Sequence, residues 1–130
     1  MYKVLIFENQ KYDIENTFKF INIVNFSNEL NFEYLATSQE LTNINELENY
    51  DVVIIDLDLS MKSEKDGYGI LKDINNYDPN LLKKCFILTG STKVNENLKN
   101  LGLEFLQVIT KPVEVEDLTK VIKSIISLNN

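Results

Sequence analysis

Five polar residues stand directly behind short apolar runs and are of types suited to metal or phosphorus chemistry. Glu8 and Asn9 follow the run 4–7, Asp56 follows 52–55, Thr89 follows 86–88, and Lys111 follows a run ending at Ile109-Thr110. Carboxylates beside an amide oxygen form a hard-oxygen donor set suited to Mg²⁺, which takes one or two carboxylates and keeps several waters. A metal-bound aspartate is also a nucleophile toward phosphorus and yields an aspartyl phosphate. A nearby lysine and threonine would bind the added phosphoryl oxygens as point charge and hydroxyl donor. Singly, each residue has an ordinary explanation. Asp after a strand is common as a turn or cap residue, Thr89 before Gly90 suits a turn, and a rim lysine is usually a solvated charge. Their joint occurrence, each at its own strand end, is what distinguishes the set.

The elements that must position these residues are legible in the hydrophobic pattern. Runs 4–7, 52–55 and 86–88 are continuous and largely β-branched or aromatic, without polar alternation, and 105–109 is of this kind but for Gln107. Such runs read as strands buried on both faces, the mark of a parallel sheet. A fifth run, 32–36, is of the same kind. Between them the period changes to that of a helix: Ile14, Phe18, Ile21; Ile70, Leu71, Ile74; Val94, Leu98, Leu101; and Leu118, Val121, Ile122, Ile125. Leu41, Ile44 and Leu47 make a weaker helical set. The last helix begins with Glu114, Glu116 and Asp117 and later carries Lys120 and Lys123, which complements the helix dipole. Five strands alternating with five helices predict an α/β fold, a doubly wound parallel sheet with right-handed crossovers and helices on both faces. In such a sheet ligands bind outside the carboxyl ends of the strands, where strand order reverses. With the order 2-1-3-4-5 the reversal falls between strands one and three, and Glu8, Asn9 and Asp56 share the crevice.

Composition narrows the chemistry. Thirteen lysines against twenty acids give a net charge of −7 on 130 residues, with no histidine and no arginine. Ser-His-Asp and Cys-His catalysis and His-ligated zinc are excluded, as is any bidentate guanidinium contact to phosphate. The acidic balance argues against direct nucleic-acid binding, which needs clustered cations to displace counterions, and suits a hard cation or a basic protein surface. Cys85, in an apolar run, reads as a small buried hydrophobe; a lone cysteine forms no internal disulfide, which suits a reducing compartment. There is no secretory h-region and no run of membrane-spanning length, so the expected location is cytoplasmic, without membrane insertion. One domain spanning 1–130 is expected.

The ordered set resembles the receiver domain of two-component response regulators, the CheY-like family. The resemblance covers almost the whole chain. It rests on residues 4–9, on 52–59 with Asp56, on Asp66-Gly67 opening the helix after strand three, on 86–90, and on Ile109-Thr110-Lys111-Pro112. It implies the flavodoxin-like strand order 2-1-3-4-5 and transfer of a phosphoryl group to Asp56 from a histidine kinase or histidine phosphotransfer protein, assisted by Mg²⁺. Glu8 and Asn9 match the metal-binding acidic pair, Asp56 is the phosphoacceptor, and the main-chain carbonyl of Asp58 matches a further ligand. Thr89 and Lys111 match the residues that contact the phosphoryl group, and Lys111-Pro112 matches a peptide bond that is usually cis. A histidine-free chain must receive the group from another protein's histidine. With no output domain expected, the signal passes to a separate, unidentified downstream protein. The switching face would comprise Thr89, the helix after strand four, strand five and the last helix, a face that also leaves homodimerisation open.

Four positions depart from the family pattern. Asn9 removes a charge from the expected direct metal ligand and weakens Mg²⁺ binding, although Asp58 places another carboxylate close by. Ser60 stands where the family has proline, and the segment 60–65 is about three residues longer than usual. Val108 replaces an aromatic whose rotamer reports phosphorylation; Phe105 is the neighbouring aromatic in sequence. These departures support a rival expectation, a degenerate receiver that serves as an interaction module without phosphorylation. A flavodoxin-like cofactor enzyme fits the fold class but lacks a Gly-x-Gly-x-x-Gly or Walker loop, and only four glycines are present.

Overall fold

The computed structural model describes residues 1–59 and 61–129. Its centre is a five-stranded, all-parallel sheet in the order 2-1-3-4-5. The strands are β1 (Tyr2–Phe7), β2 (Leu30–Leu35), β3 (Val52–Asp56), β4 (Cys85–Thr89) and β5 (Val108–Thr110). Helices α1 (Lys11–Asn25), α2 (Gly67–Tyr77), α3 (Val94–Asn100) and α4 (Val115–Leu128) follow β1, β3, β4 and β5. Every residue of β3 and β4 is buried, as expected for apolar runs covered on both faces.

Side chains alternate across each strand and so divide the core into two layers. Leu5, Phe7, Val53, Ile55 and Ile87 pack beneath α2 and α3. Val4, Ile6, Ile54, Phe86, Leu88 and Ile109 pack beneath α1 and α4. The apolar stripes read from the helical periods fill these layers: Ile14, Phe18 and Ile21 from α1, Ile70, Leu71 and Ile74 from α2, and Leu118, Ile122 and Ile125 from α4 are all buried. Cys85 is buried within the first layer.

Three expected elements differ. The helix expected between β2 and β3 is two short 3-10 turns, Ser38–Glu40 and Ile44–Asn49. The cause is two capping signals six residues apart. Thr37 and Glu40 form a reciprocal capping box, and Asn43 accepts from the Asn45 amide and starts the chain afresh. Leu47 is buried and Leu41 and Ile44 pack against the same layer, so the apolar spacing serves the core without an α-helix. Strand β5 is shorter than the run 105–109, because Gly102 turns α3 off at φ +72° and a further turn, Leu106 N–H to Leu103 O, uses up the start of that run. Strand β2 begins earlier than expected, where the Asn22 amide of α1 brackets Leu30 by donating to its carbonyl and accepting from its N–H, both at 3.0 Å.

Helix α2 is set tightly against the end of β3. Asp66 caps it by accepting from the Gly69 amide, and the Gly67 N–H donates to Leu57 O. A Cβ at Gly67 would lie 2.5 Å from Leu57 Cα and 2.7 Å from Asp56 O, so only glycine permits this approach.

Candidate functional site

The even-numbered rows of β1 and β3 run off the core into two acids: Val4, Ile6 and then Glu8; Val52, Ile54 and then Asp56. In β5, Ile109 leads in the same way to Lys111. Parallel pairing in the order 1-3-4-5 brings these ends to one rim. Lys111 donates from Nζ to Asp56 Oδ2 at 2.8 Å and to Glu8 Oε1 and Oε2 at 3.0 and 3.3 Å. Its main-chain N–H donates to Thr89 O at 2.8 Å, and the Lys111–Pro112 peptide bond is cis. Asp56 Oδ1 accepts from the Asp58 N–H at 2.9 Å. Glu8 and Asp56 are buried, Asn9 is half-buried, and Asp58 is exposed.

Two buried carboxylates share one ammonium, and the site titrates accordingly. Glu8 is pushed up to about 8 by burial and by the adjacent Asp56, with Lys111 pulling the other way. Asp56 is held below its ordinary value: burial works against its charge, but the Glu8 carboxyl, Lys111 and the Asp58 N–H together outweigh it. Lys111 is raised, because Asp56 and Glu8 outweigh its partial burial. The anion of the pair is therefore Asp56, and Glu8 is the member that keeps a proton most readily.

Glu8, Asp56 and Lys111 are thus in direct contact. Thr89, fully buried, belongs to the row facing α2 and α3, and its Oγ1 accepts from the Ser91 N–H at 3.0 Å. Ser91 was not singled out from sequence; its signal is the hydroxyl-x-amide spacing of a Ser/Thr turn. Val108 packs in the layer under α2 and α3. Phe105 does not take the place of the missing aromatic. It is 63% exposed and lies beyond the opposite end of β5, beside Leu82, Cys85 and Leu128. Ser60 lies outside the described residues.

The donor set fits a divalent cation that keeps its waters. Asp56 carries the charge that Lys111 balances, Glu8 becomes a second anionic ligand once a cation displaces its proton, and the Asn9 amide and the Asp58 main chain follow them in sequence at the rim. Among the described residues no three acidic, cysteine or histidine side chains converge into a closed protein cage. Mg²⁺ characteristically needs none, being held by one or two carboxylates and water.

The sequence profile of the response regulator receiver domain matches residues 4–123. The chain belongs to the response regulator receiver family. Solved receivers have the same fold. The receiver domain of a Francisella response regulator superposes with a TM-score of 0.74 at 20% identity, over 100% of both chains. A receiver domain protein from Clostridium thermocellum gives 0.74 at 23% identity, covering 99% of this chain and 97% of its own. A CheY-like receiver from Methanospirillum hungatei gives 0.73 at 20% identity, covering 98% and 95%. No curated protein sequence matches the chain. Receivers are signalling domains of two-component systems, interact with histidine kinases and phosphotransfer proteins, and generally bind Mg²⁺ at the acidic phosphorylation site. Among the described residues no helix is long and apolar enough to cross a membrane.

Proposed function

We propose that Asp56 accepts a phosphoryl group from the phosphohistidine of a partner kinase or phosphotransfer protein, and that the new charge switches a protein-interaction face. The observation that carries this reading is the Lys111 Nζ at 2.8 Å from Asp56 Oδ2, on a rim shared with Glu8 and Thr89. An Asp56 oxygen attacks phosphorus as the phosphorus–nitrogen bond breaks, and the imidazole nitrogen leaves with the electron pair. The attack needs an anionic carboxylate, which Lys111 and the Asp58 N–H maintain. Lys111, already against Asp56, then neutralises the transferred oxygens as a point charge. The Thr89 hydroxyl, which accepts from Ser91, donates its own proton to a phosphoryl oxygen. Glu8, Asn9, Asp56 and the Asp58 carbonyl are the groups that would hold Mg²⁺. The ion, when bound, supplies neutralisation of the phosphoryl oxygens.

Incubation with Mg²⁺ and phosphoramidate, followed by intact mass, tests the assignment. The expected result is the addition of one phosphoryl group, abolished by Asp56→Asn. No adduct in the wild type, or one that survives the substitution, would sink it.

A degenerate receiver is the second reading, and a specific arrangement favours it. Asn9 is neutral where the family's direct metal ligand is an acid, and Asp58, the nearby carboxylate, is exposed. Titration with Mg²⁺, read as a thermal shift, separates the two readings. A shift at millimolar Mg²⁺, larger in Asn9→Asp, supports the phosphoacceptor; no shift in either protein supports the degenerate module.

A further inference from the structure

The loop leaving β3 is anchored at three places. At its start the Asp58 N–H binds Asp56 Oδ1, and at its end the Gly67 N–H binds Leu57 O, so one foot rests on the acceptor's carboxylate and the other on the residue that follows it. Its far side is tied to the turn after β2. Ser38 N–H donates to Ser63 Oγ at 2.8 Å, and the Lys65 N–H donates to Ser38 Oγ at 2.9 Å. Gln39 Nε2 donates to Lys62 O at 2.7 Å, and the Glu64 N–H donates to Gln39 Oε1 at 2.8 Å. Ser63 Oγ also donates to Lys65 O, which holds the segment in a tight bend.

Because β1 lies between β2 and β3, this staple carries the loop across the end of β1. Under it lies a recess of about 200 Å³ walled by Phe7, Leu41, Ile44 and Ile70. Leu59 packs on the core at the start of the loop and Lys65 pairs with Asp73 at its end, but over this recess the segment 62–65 is not pressed onto the core and is held by the polar bonds from Ser38 and Gln39. Compact loops whose ends meet are commonly functional, and those ends here include the amide that holds Asp56.

We propose that Ser38 and Gln39 are positioning residues for phosphoryl uptake: by pinning 62–65 they hold the Asp58 main chain in its orientation toward Asp56. The inference rests on the phosphoacceptor reading. Neither residue touches Asp56; each acts through the loop. Preorganisation of this kind matters because small misplacements of an attacking group lower a rate steeply.

The test compares wild type, the Ser38→Ala/Gln39→Ala double variant, Ser38→Ala alone and Ser38→Thr, which keeps the hydroxyl. Three quantities are measured: amide exchange of the peptides spanning 58–67, the rate of phosphoryl uptake from phosphoramidate with Mg²⁺, and thermal midpoint. In uptake the phosphorus–nitrogen bond breaks as the Asp56 bond forms, and ammonia leaves. The double variant should exchange faster at these peptides and take up phosphoryl about threefold to tenfold more slowly, with Ser38→Ala intermediate and Ser38→Thr close to wild type. Uptake as fast as wild type in a double variant with faster exchange overturns the positioning role. Unchanged exchange overturns the staple itself. A wild type that takes no phosphoryl group overturns the phosphoacceptor reading and this role with it, whereas a phosphorylated wild type with an equally fast variant overturns this role alone.

Discussion

Lys111 stands between two carboxylates whose side chains are 0% and 2% exposed, while its own is 27% exposed. Removing one partner from a buried ion pair is strongly destabilising because the charge left behind has neither water nor a counter-ion. Lys111→Ala should therefore lower stability by about 3 kcal/mol, read from urea unfolding without Mg²⁺. Glu8→Gln should change it by less than about 1 kcal/mol, since Glu8 already favours the protonated form and a glutamine oxygen still accepts from Lys111. Added to Lys111→Ala, Glu8→Gln should leave the loss largely unchanged, because the charge left without a cation is that of Asp56 and not of the protonated Glu8. A loss below about 1 kcal/mol in Lys111→Ala would mean that the pairing contributes little. The sequence marked Lys111 as a rim cation, and its expected contact was a phosphoryl group. That it also donates to Glu8 was not legible, because the two are 103 residues apart and meet only when β1 and β5 end on one rim of the sheet.

At the scale of elements, the strands and the helical stripes were largely legible because each residue's own hydrophobicity carries the period. The misses lie where a local polar bond decides between near-equal backbones. Thr37, Asn43 and Gly102 each redirect the chain, giving 3-10 turns where a helix was expected and a shorter β5. Gly67 is a different case, a glycine required by packing. Gly67→Ala should cost about 2–3 kcal/mol, because its Cβ meets backbone that cannot yield. Gly90→Ala meets nothing within 4 Å and serves as the control. Similar urea midpoints for the two variants would contradict the close approach. In β4, burial pushes the Cys85 thiol up to about 12. A raised thiol pKa favours the neutral, unreactive form, so alkylation at about pH 8 should be far slower in the folded protein than in urea. Fast labelling of the folded protein, followed by intact mass, would show that β4 opens.

The whole molecule carries a net charge of −7, and self-repulsion of that size opposes the compact state. Raising ionic strength from about 0.01 M to about 0.15 M shortens the Debye length from about 30 Å to about 8 Å. The thermal midpoint should rise over that range. A fall would mean that surface pairs such as Lys19–Glu15 and Lys65–Asp73 outweigh the repulsion. The sequence by itself determined a parallel sheet covered on both faces, the rows that fill its two layers, and the polar residues that end those rows. All of these follow from the order of apolar and polar residues along the chain, since a strand's period is two and a helix's 3.6. Only the tertiary structure decided that Lys111 lies between Glu8 and Asp56 and that the β3–α2 loop is tied to Ser38 and Gln39. Those contacts join residues from different strands and loops. Distance and direction at a strand rim are set by strand order, twist and loop path together, and no local period encodes them.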